Sequence, residues 1–167
     1  MKKLNLTTSL AIAVFFTLIF TSCNKQANRP ERETAHRLEA NLVMDKLLFT
    51  ASAKERNSEN VFEILGISRK NEILHVKVKG GGSAESFQFI WDGVILFSYP
   101  ASIQLLLKYH NSNQDFDPDK EMTISVNLKK ILGDKHNVND FYFNVINGSK
   151  LQTAILNPNG STTKENK

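Results

Sequence analysis

Glu72-Ile73-Leu74-His75-Val76-Lys77-Val78-Lys79 alternates apolar and polar side chains without a break. Successive side chains of a β-strand point to opposite faces. Leu74, Val76 and Val78 therefore share one face, and His75, Lys77 and Lys79 the other. The stretch predicts a half-buried antiparallel strand with one wet side. Similar signals lie on either side of it. Val61 to Ile67 alternates in part, and Arg69-Lys70-Asn71 makes a turn into the strand. Gly80-Gly81-Gly82-Ser83 ends it as a turn or bulge. Phe87, Phe89 and Trp91 alternate ahead of the turn dipeptide Asp92-Gly93. After Pro100 come Ile103, Leu105, Leu107 and Tyr109, and later Met122, Ile124, Val126 and Leu128. Leu128 to Leu132 predicts a single helical turn before Gly133. Phe141 to Ile146 and Leu151 to Leu156 flank Asn147-Gly148, a strong hairpin dipeptide. About seven or eight short strands with no long helical period predict an all-β, antiparallel β-sandwich, with a small barrel as the runner-up.

The flanks are less regular. Residues 30–41 are charged and predict a short helix from Pro30, with Ala35, Leu38 and Leu42 at helical spacing. An exposed leader strand or plain disorder competes with that. Lys46-Leu47-Leu48-Phe49-Thr50-Ala51 is short and apolar and reads as the first strand, with helix as the alternative. Residues 52–60 and 111–120 are polar loops. Residues 157–167 carry no apolar side chain and are expected to be a disordered tail.

The N-terminus has a different character. Lys2 and Lys3 precede an uncharged apolar run, Leu10 to Phe20, and the composition turns polar after Cys23. This is the layout of a secretory signal peptide, and the run is short for a permanent membrane span. Phe20-Thr21-Ser22-Cys23 resembles the lipobox of bacterial lipoproteins, with Phe in place of the more usual Leu. The resemblance implies removal of residues 1–22 and lipidation of Cys23. Each buried CH2 of an acyl chain adds roughly 0.8 kcal/mol of membrane affinity, so two or three chains hold firmly. Asn24 is not the Asp that usually retains such proteins at the inner membrane, which points to the outer membrane. No acidic cluster follows Cys23, which points to the periplasmic face. The expected organisation is a leader at 1–22, lipidated Cys23 with a tether or short helix to 41, a β-domain at 42–156 and a tail at 157–167.

Charge and cysteine content exclude several classes of function. The 167-residue chain carries a formal charge of +4. Two of the lysines leave with the leader, so the mature protein is close to neutral. It lacks the clustered basic face that nucleic acids select. Cys23 is the only cysteine. Once it is lipidated, no thiol is left for a disulfide, a thiolate nucleophile or a zinc–sulfur site.

Gly80-Gly81, Phe87, Phe89, Trp91, Gly93, Pro100, His110, Asp115 and Leu128 resemble the pattern of an uncharacterised group of small Bacteroidetes-type lipoproteins. That pattern runs Gly-Gly-Cys-x-x-His, Phe-x-Leu-x-Trp-x-Gly, a Pro loop, a strand ending in Leu-x-His, and Asp-x-Cys. The resemblance covers under half the chain, within residues 61–132. It implies a fold and a location more than an activity. Both cysteines of the pattern are absent, with Gly82 and Asp117 in their places, and Glu85 stands where the His would be. A cysteine-based site of that group is therefore not expected here.

Several constellations remain as candidates. The alternating carboxylates of Asp115-Phe116-Asp117-Pro118-Asp119-Lys120-Glu121 suggest calcium, which takes about six to eight oxygen ligands. However, Lys120 holds the place that needs Gly, and Val126 that of the bidentate Glu. A solvated acidic loop is the simpler account. Glu85, His110, Asp115 and Asp117 would make a nitrogen–oxygen site for a divalent metal if the glycine-rich and acidic loops met. Otherwise His110 merely ends a strand. His36, His75 and His136 carry less promise. Gly80 to Gly82 lacks the strand–loop–helix setting of a phosphate loop. Ser83 lacks a nucleophile elbow. Trp91, Phe97 and Tyr99 suggest a platform for ring stacking, but Trp91 shares strand parity with Phe87 and Phe89 and reads as core. Tyr99 and His110 are then the candidate ligand-binding residues.

The expected function is that of a lipid-anchored envelope protein with a structural or protein-interaction role. It is expected to be non-catalytic and to use no cofactor. Its expected partners are the membrane, through Cys23, and an envelope protein, with no nucleic acid. The alternative is a small-ligand or glycan-binding lipoprotein, and a divalent-metal-binding protein or hydrolase comes third.

Overall fold

The structure is a computed structural model that describes residues 35–56, 61–110 and 116–166. The expected leader, Cys23, the start of the expected tether and Asp115 lie outside the described residues. In chain order the elements are β1 (His36–Glu39), β2 (Leu42–Met44), α1 (Lys46–Lys54), β3 (Glu63–Lys70), β4 (Ile73–Gly81), β5 (Phe87–Leu96), β6 (Ala101–Tyr109), β7 (Asp117–Asn127), α2 (Lys129–Leu132), β8 (Phe141–Asn147), β9 (Gln152–Leu156) and β10 (Thr162–Asn166). Single 3-10 turns precede β5, at Ala84–Ser86, and β8, at Val138–Asp140.

The chain is mostly β and forms two sheets. A seven-stranded sheet runs β1-β2-β5-β6-β8-β9-β10, and a three-stranded sheet runs β3-β4-β7. The small sheet is antiparallel throughout. The large one is mixed, because β2 pairs with β5 and β6 with β8 in parallel. β4 behaves as its alternation dictates. Leu74, Val76 and Val78 are fully buried. On its other face Lys77 pairs with Glu121, and Lys79 with Asp119, across to β7. Such exposed pairs contribute little to stability.

One apolar cluster draws on both sheets. It takes Leu74, Val76, Val78, Ile124 and Val126 from the small sheet, and Phe87, Phe89, Ile103, Leu105, Leu107, Phe143 and Val145 from the large one. Buried polar side chains link the β3 edge to the large sheet. The Phe62 N–H donates to Ser149 Oγ (3.1 Å), and Asn147 Nδ2 donates to the Phe62 carbonyl (2.9 Å). Near the β7 edge, Asn41 Nδ2 donates to the Ser125 carbonyl (2.9 Å), and Glu39 Oε2 accepts from the Asn127 N–H (3.1 Å).

Several local expectations differ from the structure. Residues 36–39 are strand β1 rather than part of a helix, and β7 begins at Asp117, inside the segment expected as a loop. Residues 46–51 are not a strand; they belong to α1. Asp45 caps that helix by accepting the Leu48 N–H at 2.8 Å. Val43, Phe49, Ile90, Leu106 and Ile146 form a second cluster there, on the other face of the large sheet. That cover explains why Phe89-Ile90-Trp91 and Leu105-Leu106-Leu107 are buried on both faces. Asp92-Gly93 is not the hairpin turn. It forms a bulge between Trp91 and Ile95, with Gly93 at φ +80°, and the strand continues to Leu96. Asn147-Gly148 is not a two-residue turn either, since β9 resumes only at Gln152. Gly148 is needed for close approach, because a Cβ there would lie 2.8 Å from the Leu107 carbonyl oxygen. Finally, residues 162–166 are not a disordered tail but β10, paired antiparallel with β9. Its side chains are all exposed. Backbone hydrogen bonds add it to the sheet edge without any apolar pattern.

Candidate functional site

The sequence-derived candidates divide between opposite ends of the large sheet. Glu85, His110 and Asp117 lie toward one end. The His110 N–H donates to the Ser86 carbonyl (2.7 Å), which places it beside the turn carrying Glu85. Asp117 pairs with Gly81 at the start of β7. The glycine-rich segment and the start of β7 therefore do meet. The Lys120 ammonium donates to the Gly82 carbonyl at this junction, and its charge also lowers the Glu85 pKa. The larger causes of that lowering are hydrogen bonds from the Glu85 N–H and from Ser83. His110 contacts Gln88 Oε1 at 3.0 Å. Partial burial, with Lys108 nearby, pushes its pKa down. Asp117 Oδ1 accepts the Asp119 N–H at 2.9 Å. Among the described residues, no three His, Cys, Asp or Glu side chains are grouped to hold a metal ion.

Tyr99 lies at the other end, at the tip of the β5–β6 hairpin, and so shares no site with His110. The paired strands end at Leu96 and Ser102, leaving Phe97-Ser98-Tyr99-Pro100 as the tip. Phe97 is 80% and Tyr99 104% exposed. Val94 and Leu96 on the neck of the hairpin are exposed as well. Trp91 is in the core, as its parity predicts, and its Nε1–H donates to the Val94 carbonyl (3.1 Å). Asp92 Oδ1 accepts the Val94 N–H (2.9 Å), and the Ser98 hydroxyl donates to the Pro100 carbonyl (2.7 Å). The tip is thus held in shape by its own polar groups while its apolar groups face water. Fully burying a side chain such as Phe or Leu is worth about 1.5–3 kcal/mol, so the fold forgoes a substantial gain at this place.

The register brings further parts of the chain to the same end. Met44 pairs with Trp91, and His36 with Met44. The chain therefore enters the described domain beside the hairpin. The Asp45 N–H donates to the Trp91 carbonyl (2.9 Å), so α1 starts there too, with Leu47 61% exposed in its first turn. Leu47, Val94, Leu96, Phe97 and Tyr99 are five of the large exposed apolar residues, and they share this end. Val61 and Leu151 are exposed toward the other. Scattered exposed hydrophobics are ordinary, but a concentration of them marks an interaction site. Tyr99 was legible from the sequence because it precedes Pro100 in a loop. Leu47 was hidden by the strand reading of residues 46–51. Val94 and Leu96 were hidden because Asp92-Gly93 looked like the end of the strand. The one available signal was an uncharged run, 94–101, next to a glycine.

No protein-family model, curated protein or solved structure matches the chain.

Proposed function

We propose that this is a lipid-anchored β-sandwich protein of the bacterial cell envelope with a structural or interaction role and no catalytic one. In this reading, residues 1–22 are removed and lipid on Cys23 holds the protein at the outer membrane, facing the periplasm. Support for the anchor comes from the order of Lys2-Lys3, the apolar run Leu10 to Phe20, and Cys23, and from the resemblance of Phe20-Thr21-Ser22-Cys23 to a lipobox. The two-layer packing is supported by the apolar cluster that both sheets share. The observation that carries the interaction role is the group of exposed apolar side chains at the β5–β6 end.

Mass spectrometry of the protein from its native host tests the anchor. The first residue should be Cys23 bearing a diacylglyceryl thioether, and Cys23→Ser should move the protein from the membrane to the soluble fraction. A free thiol on a freely diffusing wild-type protein would refute it.

Small-ligand or glycan binding is the second reading, and one observation favours it. A cleft of about 590 Å³ lies between the β3–β4 turn and the segment before β8, lined by Arg69, Asn71, Glu72, Asn137, Val138 and Asn139. Arg69 Nη2 donates to Asn139 Oδ1 across it (2.6 Å). Amides and a guanidinium are suited to sugar hydroxyls. A thermal-shift screen against glycans should find a ligand whose stabilisation is lost in Asn139→Ala. A flat screen would leave the interaction role alone.

A further inference from the structure

We propose that the β5–β6 tip is a second membrane contact. Phe97 and Tyr99, with Val94 and Leu96 behind them, would dip into the headgroup region of the bilayer that carries the Cys23 lipid. The proposal rests on the lipoprotein reading above and names the surface that the apolar end meets.

Three observations favour a lipid surface as the occupant. The first is composition. Residues 94–101 carry no charge, and the two side chains at the tip are aromatic and almost wholly exposed. Tyrosine, apolar in the ring and polar at the hydroxyl, is suited to the boundary between headgroups and acyl chains. The second is shape. The apolar groups stand on a projecting hairpin end rather than lining a groove. A stable protein interface buries roughly 800 Å² on each partner, more than such a tip offers, whereas a bilayer requires no complementary contour.

The third is where the chain leaves the domain. β1 begins at His36, opposite Met44, which is itself opposite Trp91 at the base of the hairpin. From there to Cys23 is 13 residues, with a reach of at most about 45 Å. Lipid and tip can therefore meet one membrane surface. Tethering raises the effective concentration of the tip at that surface, so a contact too weak to hold the protein alone becomes occupied. The hydrogen bond from the Val94 N–H to Asp92 shapes the neck of the hairpin in advance, which limits the ordering cost of insertion.

The test uses the full-length lipidated protein. With the Cys23 sulfur in thioether linkage, an introduced cysteine is the only thiol. Ser98→Cys places a spin label between Phe97 and Tyr99 and keeps both, and Leu151→Cys places one at the opposite end as a control. Each is reconstituted in protein-free phosphatidylethanolamine–phosphatidylglycerol vesicles. The label at 98 is expected to lose access to a water-soluble nickel reagent several-fold and to gain access to oxygen, while the label at 151 stays aqueous. Adding Phe97→Ser and Tyr99→Ser should return the label at 98 to water. Equal nickel access at 98 and 151, with Cys23 lipidated by mass spectrometry, overturns the tip contact and leaves the anchor standing. Unmodified Cys23 overturns both. A label at 98 that is shielded in native envelopes but aqueous in vesicles overturns the proposal in favour of a protein partner.

Discussion

Gln152 satisfies both backbone groups of Ile64. Its Oε1 accepts the Ile64 N–H at 2.8 Å, and its Nε2 donates to the Ile64 carbonyl at 3.1 Å. The side chain acts as a short piece of strand, joining the edge of the small sheet to the large one in the interior. Asn147 Nδ2 also donates to Gln152 Oε1 (3.1 Å), which holds the amide in place.

Gln152→Leu should therefore be among the most damaging single changes. It leaves a buried donor and acceptor unpaired, at about 1–3 kcal/mol each. Urea denaturation should show a loss of about 2–5 kcal/mol on that basis. Gln152→Glu should also destabilise, because a carboxylate cannot donate to the Ile64 carbonyl. A loss below about 0.5 kcal/mol, the scale of an ordinary surface substitution, would mean that the link does not matter.

Gly148→Ala and Gly66→Ala should differ sharply. The added methyl at 148 meets the Leu107 carbonyl at 2.8 Å, while at 66 nothing lies within 4 Å. Overpacking at 148 should cost about 1–3 kcal/mol. At 66 the change should be small, about 0.5 kcal/mol either way. Thermal midpoints of the two variants give the comparison directly.

Asp45→Ala removes the cap of α1, whose Oδ1 holds the Leu48 N–H. The expected loss is about 1 kcal/mol, typical of an N-cap. Asp45→Ser should recover most of it, and chemical denaturation of the pair separates the cap from any role of charge.

His110 gives stability a pH dependence of known sign. Its folded pKa is lowered from 6.5 by partial burial, with Lys108 adding to the effect. Below the ordinary value the unfolded chain takes up the proton more readily. The contribution is thus complete above about pH 6.5 and is lost as pH falls from there through the folded pKa. Urea midpoints measured from mildly acidic to neutral pH should slope upward in the wild type and less so in His110→Gln. Equal slopes would remove His110 as a source.

Phe97→Ser and Tyr99→Ser should leave the thermal midpoint unchanged, since neither side chain is packed in the fold. Changes should stay within about 0.5 kcal/mol. A larger loss would mean that the tip supports the domain rather than serving an external surface.

Much of the β-structure was legible in single stretches. Leu74-Val76-Val78 and Ile124-Val126 alternate because a strand with one buried face has a period of two, and a local pattern is enough to show it. The Trp91 core position and the exposure of Tyr99 followed from the same parity and from Pro100. Cys23 behind the apolar run Leu10 to Phe20 is likewise a local pattern, and the lipoprotein reading built on it rests on the sequence alone.

The rest depended on neighbours far away in the chain. Residues 46–51 are helical because Asp45 caps them and because Val43, Ile90, Leu106 and Ile146 offer an apolar face to cover. β10 exists because β9 has a free edge, and its polar side chains announce nothing. Asn147, Ser149 and Gln152 look like turn and surface residues, yet they are buried; their partners, Phe62 and Ile64, are more than 80 positions away. Leu47, Val94 and Leu96 were missed as companions of Tyr99 because local patterns do not show what lies beside a strand. The β2–β5 register sets Leu47 and Phe97 toward the same end of the sheet, and side-chain periodicity reports which face a residue occupies but not which distant strand lies beside it.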